Sequence, residues 1–310
     1  MLDVASATAT VFIDGEAGTT GLLIRERLAA HRRVRVLSVP DAQRKDPAAR
    51  KAAMAEASLV VLCLPDDAAK ESVALADSLP GGGPRILDAS TAHRVAEGWT
   101  YGFPELTPAQ EQAVRNARRV SNPGCYPTGA IALLRPLVDA GLLPADFPIT
   151  VNAVSGYSGG GKSMIAAFDA GSAPSFELYG LGLSHKHVPE LQKYACLTRR
   201  PLFVPSVGNF RQGMLVSIPL HFDTLPGKPS VADLHAALAA RYAGSAFVSV
   251  PAAEADGKIE AEGLNGTNKL ELRVFGNAQH GQAVLVARLD NLGKGASGAA
   301  VQNLELMLGL

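Results

Sequence analysis

The sequence predicts an α/β protein, with a doubly wound parallel sheet followed by an α+β domain whose sheet is mostly antiparallel. Three observations carry this expectation. The first third alternates short apolar strand patterns with helical ones, and a glycine-rich turn joins the first strand to the first helix. The second half instead holds longer strands with two-residue alternation.

Residues 10–13 read as a strand, 20–31 as a helix and 34–39 as a second strand. Residues 59–64 form an apolar run suited to a strand buried on both faces. A helix over 68–78 and a strand over 85–89 continue the alternation. A helix then spans 126–140 and a strand 149–153. In 213–222, Met214, Val216, Ile218, Leu220 and Phe222 share one face. Residues 269–275 and 282–289 alternate in the same way around the turn-rich GNAQHG, which predicts a hairpin. Ser230 and Asp233 have the spacing of a capping box for a helix running to Tyr242, and residues 297–310 are helical again.

The bulk composition narrows the function classes. The chain has 310 residues, 47% apolar and 19% charged, with 29 basic and 29 acidic side chains. That balance gives no overall field to attract nucleic acid or an anionic membrane. The apolar runs are too short to span a bilayer, and the first residues lack a secretory pattern. Cys63, Cys125 and Cys196 are widely spaced and form neither a disulfide framework nor a metal pattern. A reducing cytoplasm is the expected compartment.

The turn Gly15-Glu16-Ala17-Gly18-Thr19-Thr20-Gly21 follows the first strand and opens a helix. Glycines so placed allow a tight turn and close approach of backbone to a pyrophosphate, with helix N–H groups as donors. The spacing GxxGxxG is a weak signal alone, but its place in a Rossmann-type strand–helix pattern points to a dinucleotide. Asp41 stands about twenty positions on, where an acidic residue favours NAD. Arg44, Lys45 and the nearby Ser38 instead suit the 2′-phosphate of NADP. Sequence physics leaves both cofactors open.

In Ser121-Asn122-Pro123-Gly124-Cys125-Tyr126-Pro127-Thr128, Pro127 fits the first turn of a helix, which puts Cys125 at the amino end. There the helix dipole favours a thiolate over the ordinary thiol, whose pKa is about 8.5. Cys63, within VVLCLP, and Cys196 read as structural. A nucleophilic thiol needs an acid–base partner. His187 precedes a helix that Pro189 can start, beside Lys186 and Glu190, with His185 as the second candidate. The His-x-His pair has no third ligand nearby, so no metal site is expected.

With these motifs in this order, the chain resembles the N-acetyl-γ-glutamyl-phosphate reductases, in particular their shorter bacterial type, over nearly its whole length. The resemblance is carried by GEAGTTG from Gly15, DASTAHR from Asp88, YGFPEL from Tyr101 and SNPGCYPT around Cys125. It continues through SGYSGGGK from Ser155, SHKHVPEL around His187 and NLGKGASGAAVQN from Asn291. The family is related to aspartate-semialdehyde dehydrogenases and shares their two-domain plan. The resemblance implies an NADP-binding domain of residues 1–124, to which 290–310 return, and a catalytic and oligomerisation domain of 125–289. It implies NADPH as cofactor, Cys125 as nucleophile and His187 as acid–base residue. Ser90, Arg94, Asn122 and Glu190 are expected near the phosphate or acyl chain. Arg211, in GNFRQGM, suits an α-carboxylate because a guanidinium fork matches one. Ser158, Gly159 and Asn291 are expected on the nicotinamide side of the cofactor.

The activity so implied is reduction of N-acetyl-γ-glutamyl phosphate to its γ-semialdehyde through a cysteine thioester, with phosphate release, in arginine biosynthesis. A small-molecule substrate and a homo-oligomer, dimer or tetramer, are expected. The alternatives are a reductase of aspartyl or aminoadipyl phosphate and a non-catalytic dinucleotide-sensing protein. A cysteine hydrolase would leave the glycine-rich turn unexplained.

Overall fold

The structure, a computed structural model, describes residues 8–253 and 257–310. In chain order the first elements are β1 (Ala9–Asp14), α1 (Thr19–Ala29), β2 (Val34–Leu37), α2 (Pro47–Glu56), β3 (Leu59–Leu62) and α3 (Asp66–Asp77). They are followed by β4 (Arg85–Asp88), β5 (Thr100–Tyr101), α4 (Gln110–Asn116) and β6 (Arg119–Ser121). The six strands form one parallel sheet in the order β2-β1-β3-β4-β6-β5. Successive strand residues point to opposite faces, so β3 feeds two cores. Leu59 and Val61 join Val11, Ile13, Ile24 and Leu28 on one side, while Val60 and Leu62 join Phe12, Met54 and Ala76 on the other. All four residues of β3 are fully buried, as the apolar run predicts.

The chain continues with α5 (Cys125–Asp139), β7 (Thr150–Gly156), α6 (Gly161–Asp169), β8 (Phe176–Leu178) and α7 (Val188–Tyr194). Then come β9 (Leu202–Gly208), β10 (Met214–His221), α8 (Val231–Tyr242), β11 (Val248–Ser249), β12 (Leu270–Asn277) and β13 (Gln282–Leu289). These strands form a seven-stranded sheet in the order β11-β12-β13-β10-β7-β9-β8. Four of its pairings are antiparallel, whereas β7–β9 and β11–β12 are parallel. The hairpin pairs Asn277 with Gln282, and Met214, Val216, Ile218 and Leu220 are all buried. α5 and α8 pack on one face of this sheet. A side chain at Gly129 would lie 3.0 Å from Val216, so α5 rests directly on β10. The other face, with Val284, Val286 and Phe275, borders an open depression of about 580 Å³. The capping box of α8 is formed: Ser230 Oγ accepts the Asp233 N–H and the Asp233 carboxylate accepts the Ser230 N–H.

The last helix, α9 (Gly298–Leu308), ends at Gly309 in the left-handed conformation. Two compact units result: Met1–Pro104, Ala109–Pro123 and Ala296–Leu310 in one, Glu105–Pro108 and Gly124–Gly295 in the other. Residues 290–295 thus stay with the second unit, where the N–H groups of Gly293 and Gly295 both bond the Asp290 carbonyl. Leu304 and Met307 of α9 lie in the core of the first unit. Among the described residues no helix is long and apolar enough to cross a membrane.

Candidate functional site

In the first unit the strand order reverses at β1 and β3, and a cavity of about 800 Å³ opens at their carboxyl ends, the switch point where such sheets take ligands. Gly15, Gly18, Ser38, Arg44 and Lys45 all border it. Gly15 has φ +89°, and a Cβ there would lie 2.3 Å from the Cys63 carbonyl oxygen, so only glycine fits the turn. Gly18 is the cap residue of α1, and Thr19, Thr20 and Gly21 form its first turn. No side chain caps this helix end, which leaves its amide dipoles facing the cavity mouth. The cradle therefore fits a dinucleotide phosphate. Asp41 borders the cavity as well, with its side chain 94% exposed and 4.0 Å from Arg44. The sequence did not disclose Arg25 and Glu16, which also border the cavity and contact Ser38. Arg25 follows Gly21 by one helical turn, a spacing that could have pointed to it.

The loop after β4 in the same unit is held by a buried carboxylate. Asp88 Oδ1 accepts the Ser90 N–H at 2.8 Å, and its Oδ2 accepts the Ser90 hydroxyl at 2.7 Å and lies 2.6 Å from His93 Nδ1. The His93 ring stacks on Trp99 at 4.1 Å. Arg94 Nε donates to the Asn122 carbonyl at 3.0 Å. The Asn122 amide donates to the Ala296 carbonyl and accepts from Asn303. Ser90, Arg94 and Asn122 are thus brought together, each at least nine-tenths buried. Asp88 and His93 are the loop's missed organisers.

Cys63, at the end of β3, borders the dinucleotide cavity, but burial first, then the charges of Asp88 and Asp14, push its thiol up to about 12. Cys196 is exposed.

In the second unit Cys125 is half-buried at the first position of α5, whose amino end has no side-chain cap. A Cβ on Gly295 would lie 2.8 Å from the Cys125 Cβ, so bare backbone lies against the cysteine. Glu190, in the first turn of α7 and 1% exposed, accepts the Gly124 N–H at 3.1 Å. One oxygen of Glu190, a residue expected near the substrate, is thus seated on the turn before Cys125. The same helix start carries His187, 7% exposed, with its ring 5.9 Å from that of Tyr126. The first turns of α5 and α7 therefore face each other. His185 Nδ1 accepts the His187 N–H at 3.1 Å, which fixes the other ring nitrogen as the protonated one when this imidazole is neutral.

Two tyrosines complete this cluster. Tyr179 donates to Tyr126 and Tyr126 to the Ser206 carbonyl, each at 3.0 Å. Burial is the leading cause that raises both hydroxyl pKa values, that of Tyr179 to about 12, and the neighbouring Cys125 charge adds to each. Both phenols are protonated at neutral pH.

Asn291, 2% exposed, donates to Ser158 Oγ at 3.0 Å and accepts the Gly213 N–H at 2.8 Å. A Cβ on Gly159 would lie 3.5 Å from its amide nitrogen, so Ser158, Gly159 and Asn291 form one group. Arg211 is exposed on the loop before β10, with its carbonyl bonded to the Ser158 N–H. Lys294, 1% exposed, pairs with Glu105 at 2.8 Å beside the stretch that backs Cys125. Burial pulls the ammonium pKa down and Glu105 opposes that shift.

The semialdehyde dehydrogenase dimerisation domain matches residues 125–291, more than half of the chain. An N-acetyl-gamma-glutamyl-phosphate reductase of Chelativorans sp. is 56% identical, covering 97% of this chain and 98% of its own. The protein of that name from Brucella suis is 55% identical over 96% and 98%. Among solved structures, aspartate semialdehyde dehydrogenase II of Vibrio cholerae, complexed with ASA, shares the fold with a TM-score of 0.72. It does so at 18% identity, covering 98% of this chain and 99% of that one. With a matching domain over half its length and full-length relatives above half identity, the chain belongs to the N-acetyl-γ-glutamyl-phosphate reductase family.

Proposed function

We propose that this chain is the NADPH-dependent reductase that converts N-acetyl-γ-glutamyl phosphate to N-acetylglutamate γ-semialdehyde and phosphate. The observation that carries the reading is Cys125 at the uncapped start of α5, backed by Gly295 and faced by the α7 turn that bears His187 and Glu190. His187 takes the thiol proton, and the Cys125 sulfur attacks the γ-carbonyl carbon. Backbone dipoles at the start of α5 favour the tetrahedral oxyanion. The carbonyl re-forms as the C–O bond to phosphate breaks, leaving an acyl thioester on Cys125. NADPH, when bound, supplies a hydride to that thioester carbonyl. His187 then returns its proton as the carbon–sulfur bond breaks, so that the aldehyde and the free thiol are restored.

Glu190 keeps the Gly124 turn in place throughout, and His185 fixes the backbone of His187. Gly15, Gly18, Thr19, Thr20 and Gly21 hold the pyrophosphate of the cofactor. Ser38, Arg44 and Lys45 serve its phosphorylated ribose, and Ser158, Gly159 and Asn291 serve the nicotinamide end. Ser90 and Arg94 of the loop after β4, with Asn122 just after β6, receive the phosphate or acyl chain, and exposed Arg211 pairs with the α-carboxylate.

The reaction run backwards gives the test. Phosphate-dependent reduction of NADP⁺ is expected with N-acetylglutamate γ-semialdehyde, with little or none with aspartate semialdehyde. Equal or faster turnover of aspartate semialdehyde would move the chain to the neighbouring substrate class.

The uncovered face of the second sheet serves self-association in this reading. It carries Phe176, Leu178 and Val284 with 55, 51 and 38% exposure, a contiguous apolar border unusual on a lone protein surface. Wild type is expected to elute on gel filtration as a dimer or tetramer. Val284→Asp is expected to elute smaller with unchanged circular dichroism. A variant that keeps the wild-type size would place the interface elsewhere.

A further inference from the structure

At the α1 side of the dinucleotide cavity three side chains meet. Arg25 Nη1 donates to Ser38 Oγ at 2.9 Å, Ser38 Oγ donates to Glu16 Oε2 at 3.0 Å, and Arg25 pairs directly with Glu16. Each comes from a different element: Glu16 from the glycine-rich turn, Arg25 from α1 and Ser38 from the end of β2. All three border the cavity. The end of the second strand is where a dinucleotide fold meets the ribose of the adenosine half. One guanidinium nitrogen and a hydroxyl converge there on an anion, which in this structure is a carboxylate of the chain itself. Phosphate is the other anion that such a pair recognises, through the same charge-assisted hydrogen bonds.

We propose that Arg25 and Ser38 form the seat for the 2′-phosphate of the cofactor, and that Glu16 fills this seat until the phosphate displaces it. The inference rests on the NADPH reading and sharpens it. Arg44 and Lys45 border the same cavity, but so does Asp41 on the same loop, and among the described residues Arg44 pairs with that exposed carboxylate at 4.0 Å. They add a screened positive field. Arg25, with a side chain about as exposed as that of Arg44 (51 against 57%), differs in already holding two polar partners at the cavity wall, Ser38 and Glu16. Glu16 has two effects on a bound phosphate: it competes for both donors and repels a second anion. The chain thus carries both the reader of the 2′-phosphate and a brake on its affinity.

The consequences are opposite in sign for the two charged residues. Arg25→Ala is expected to weaken NADPH binding at least about tenfold, the scale of one lost charge-assisted bond, while NADH binding stays within about twofold. Glu16→Gln keeps the shape and removes the charge, so NADPH is expected to bind several-fold more tightly, again with NADH unchanged. Neutralising Arg44 and Lys45 together is expected to cost less than Arg25→Ala, and the loss should shrink in salt.

Calorimetric titration of each full-length variant with NADPH, NADH, 2′,5′-ADP and 5′-AMP reads these affinities without turnover, and thermal melts check folding. The two adenosine probes isolate the 2′-phosphate from the nicotinamide end. Wild type that binds NADPH and NADH alike overturns the NADPH reading itself. A wild type that prefers NADPH, with Arg25→Ala keeping that preference, overturns the seat alone. A Glu16→Gln variant that binds 2′,5′-ADP more weakly than wild type overturns the displacement by showing that Glu16 only props up Arg25.

Discussion

Cys125→Ser is expected to fold, to bind NADPH as wild type does, and to lose reductase activity by several orders of magnitude. A thioester carbonyl accepts hydride where a carboxylate resists it, and only a thiolate forms that thioester readily near neutral pH. A serine hydroxyl ionises far above that range, and the end of one helix shifts such a value only modestly. The other two cysteines define the control. Cys63 has its thiol pushed up to about 12 by burial, so it stays protonated at neutral pH. Cys196 is exposed and will take an alkylating agent without regard to catalysis. It sits at φ +58°, so Cys196→Asn removes the thiol with a residue that tolerates that backbone. In this background one equivalent of iodoacetamide should abolish activity, and bound substrate should protect. Mass spectrometry should find the label on Cys125. A label on Cys63 that tracks the loss of activity, or substantial turnover by Cys125→Ser, would remove Cys125 from the mechanism.

Much of this architecture is legible in the sequence because it is written locally. Leu59 to Leu62 announce a strand buried on two faces, and Met214 to Leu220 one buried on a single face. The Cys125 turn is legible for the same reason, since Pro123-Gly124 and Pro127 flank the cysteine within one helical turn. β9 is not legible: Pro205 lies inside it, removes a donor and argues against a central strand, yet β9 pairs on both sides, with β7 and β8. α2 is not legible either, although Asp46 caps it and Pro47 starts it, because it buries only Met54 and so carries no apolar stripe. The contacts that shape the sites are the least legible. Glu190 and Gly124 are 66 residues apart, and Arg25, Ser38 and Glu16 meet only because a turn, a helix and a strand end converge. No local period encodes such meetings.

His187→Ala is the second large effect: turnover is expected to fall about 10²- to 10⁴-fold, the usual scale for a general acid–base residue. The surrounding groups make this assignment restrictive. Tyr179, with its pKa raised to about 12, and Tyr126, raised further by burial, stay protonated at neutral pH and cannot take the thiol proton. Glu190 directs one carboxylate oxygen to the Gly124 N–H, and His185 uses Nδ1 to accept the His187 N–H. His187 is the imidazole placed on the α7 turn that faces the start of α5. Its loss should leave NADPH affinity unchanged, because the dinucleotide cavity is bordered by other residues. The pH profile supplies the readout that mere loosening of the fold would not move. The wild-type rate should rise along an acidic limb as the imidazole becomes able to take a proton, and His187→Ala should lack that limb while keeping its thermal stability within a few degrees. His185→Ala should retain the limb at a lower rate, since it disturbs the position of His187 and not its chemistry. If His187→Ala keeps near-normal rates, or if the limb vanishes in His185→Ala instead, the proton is carried by the other ring.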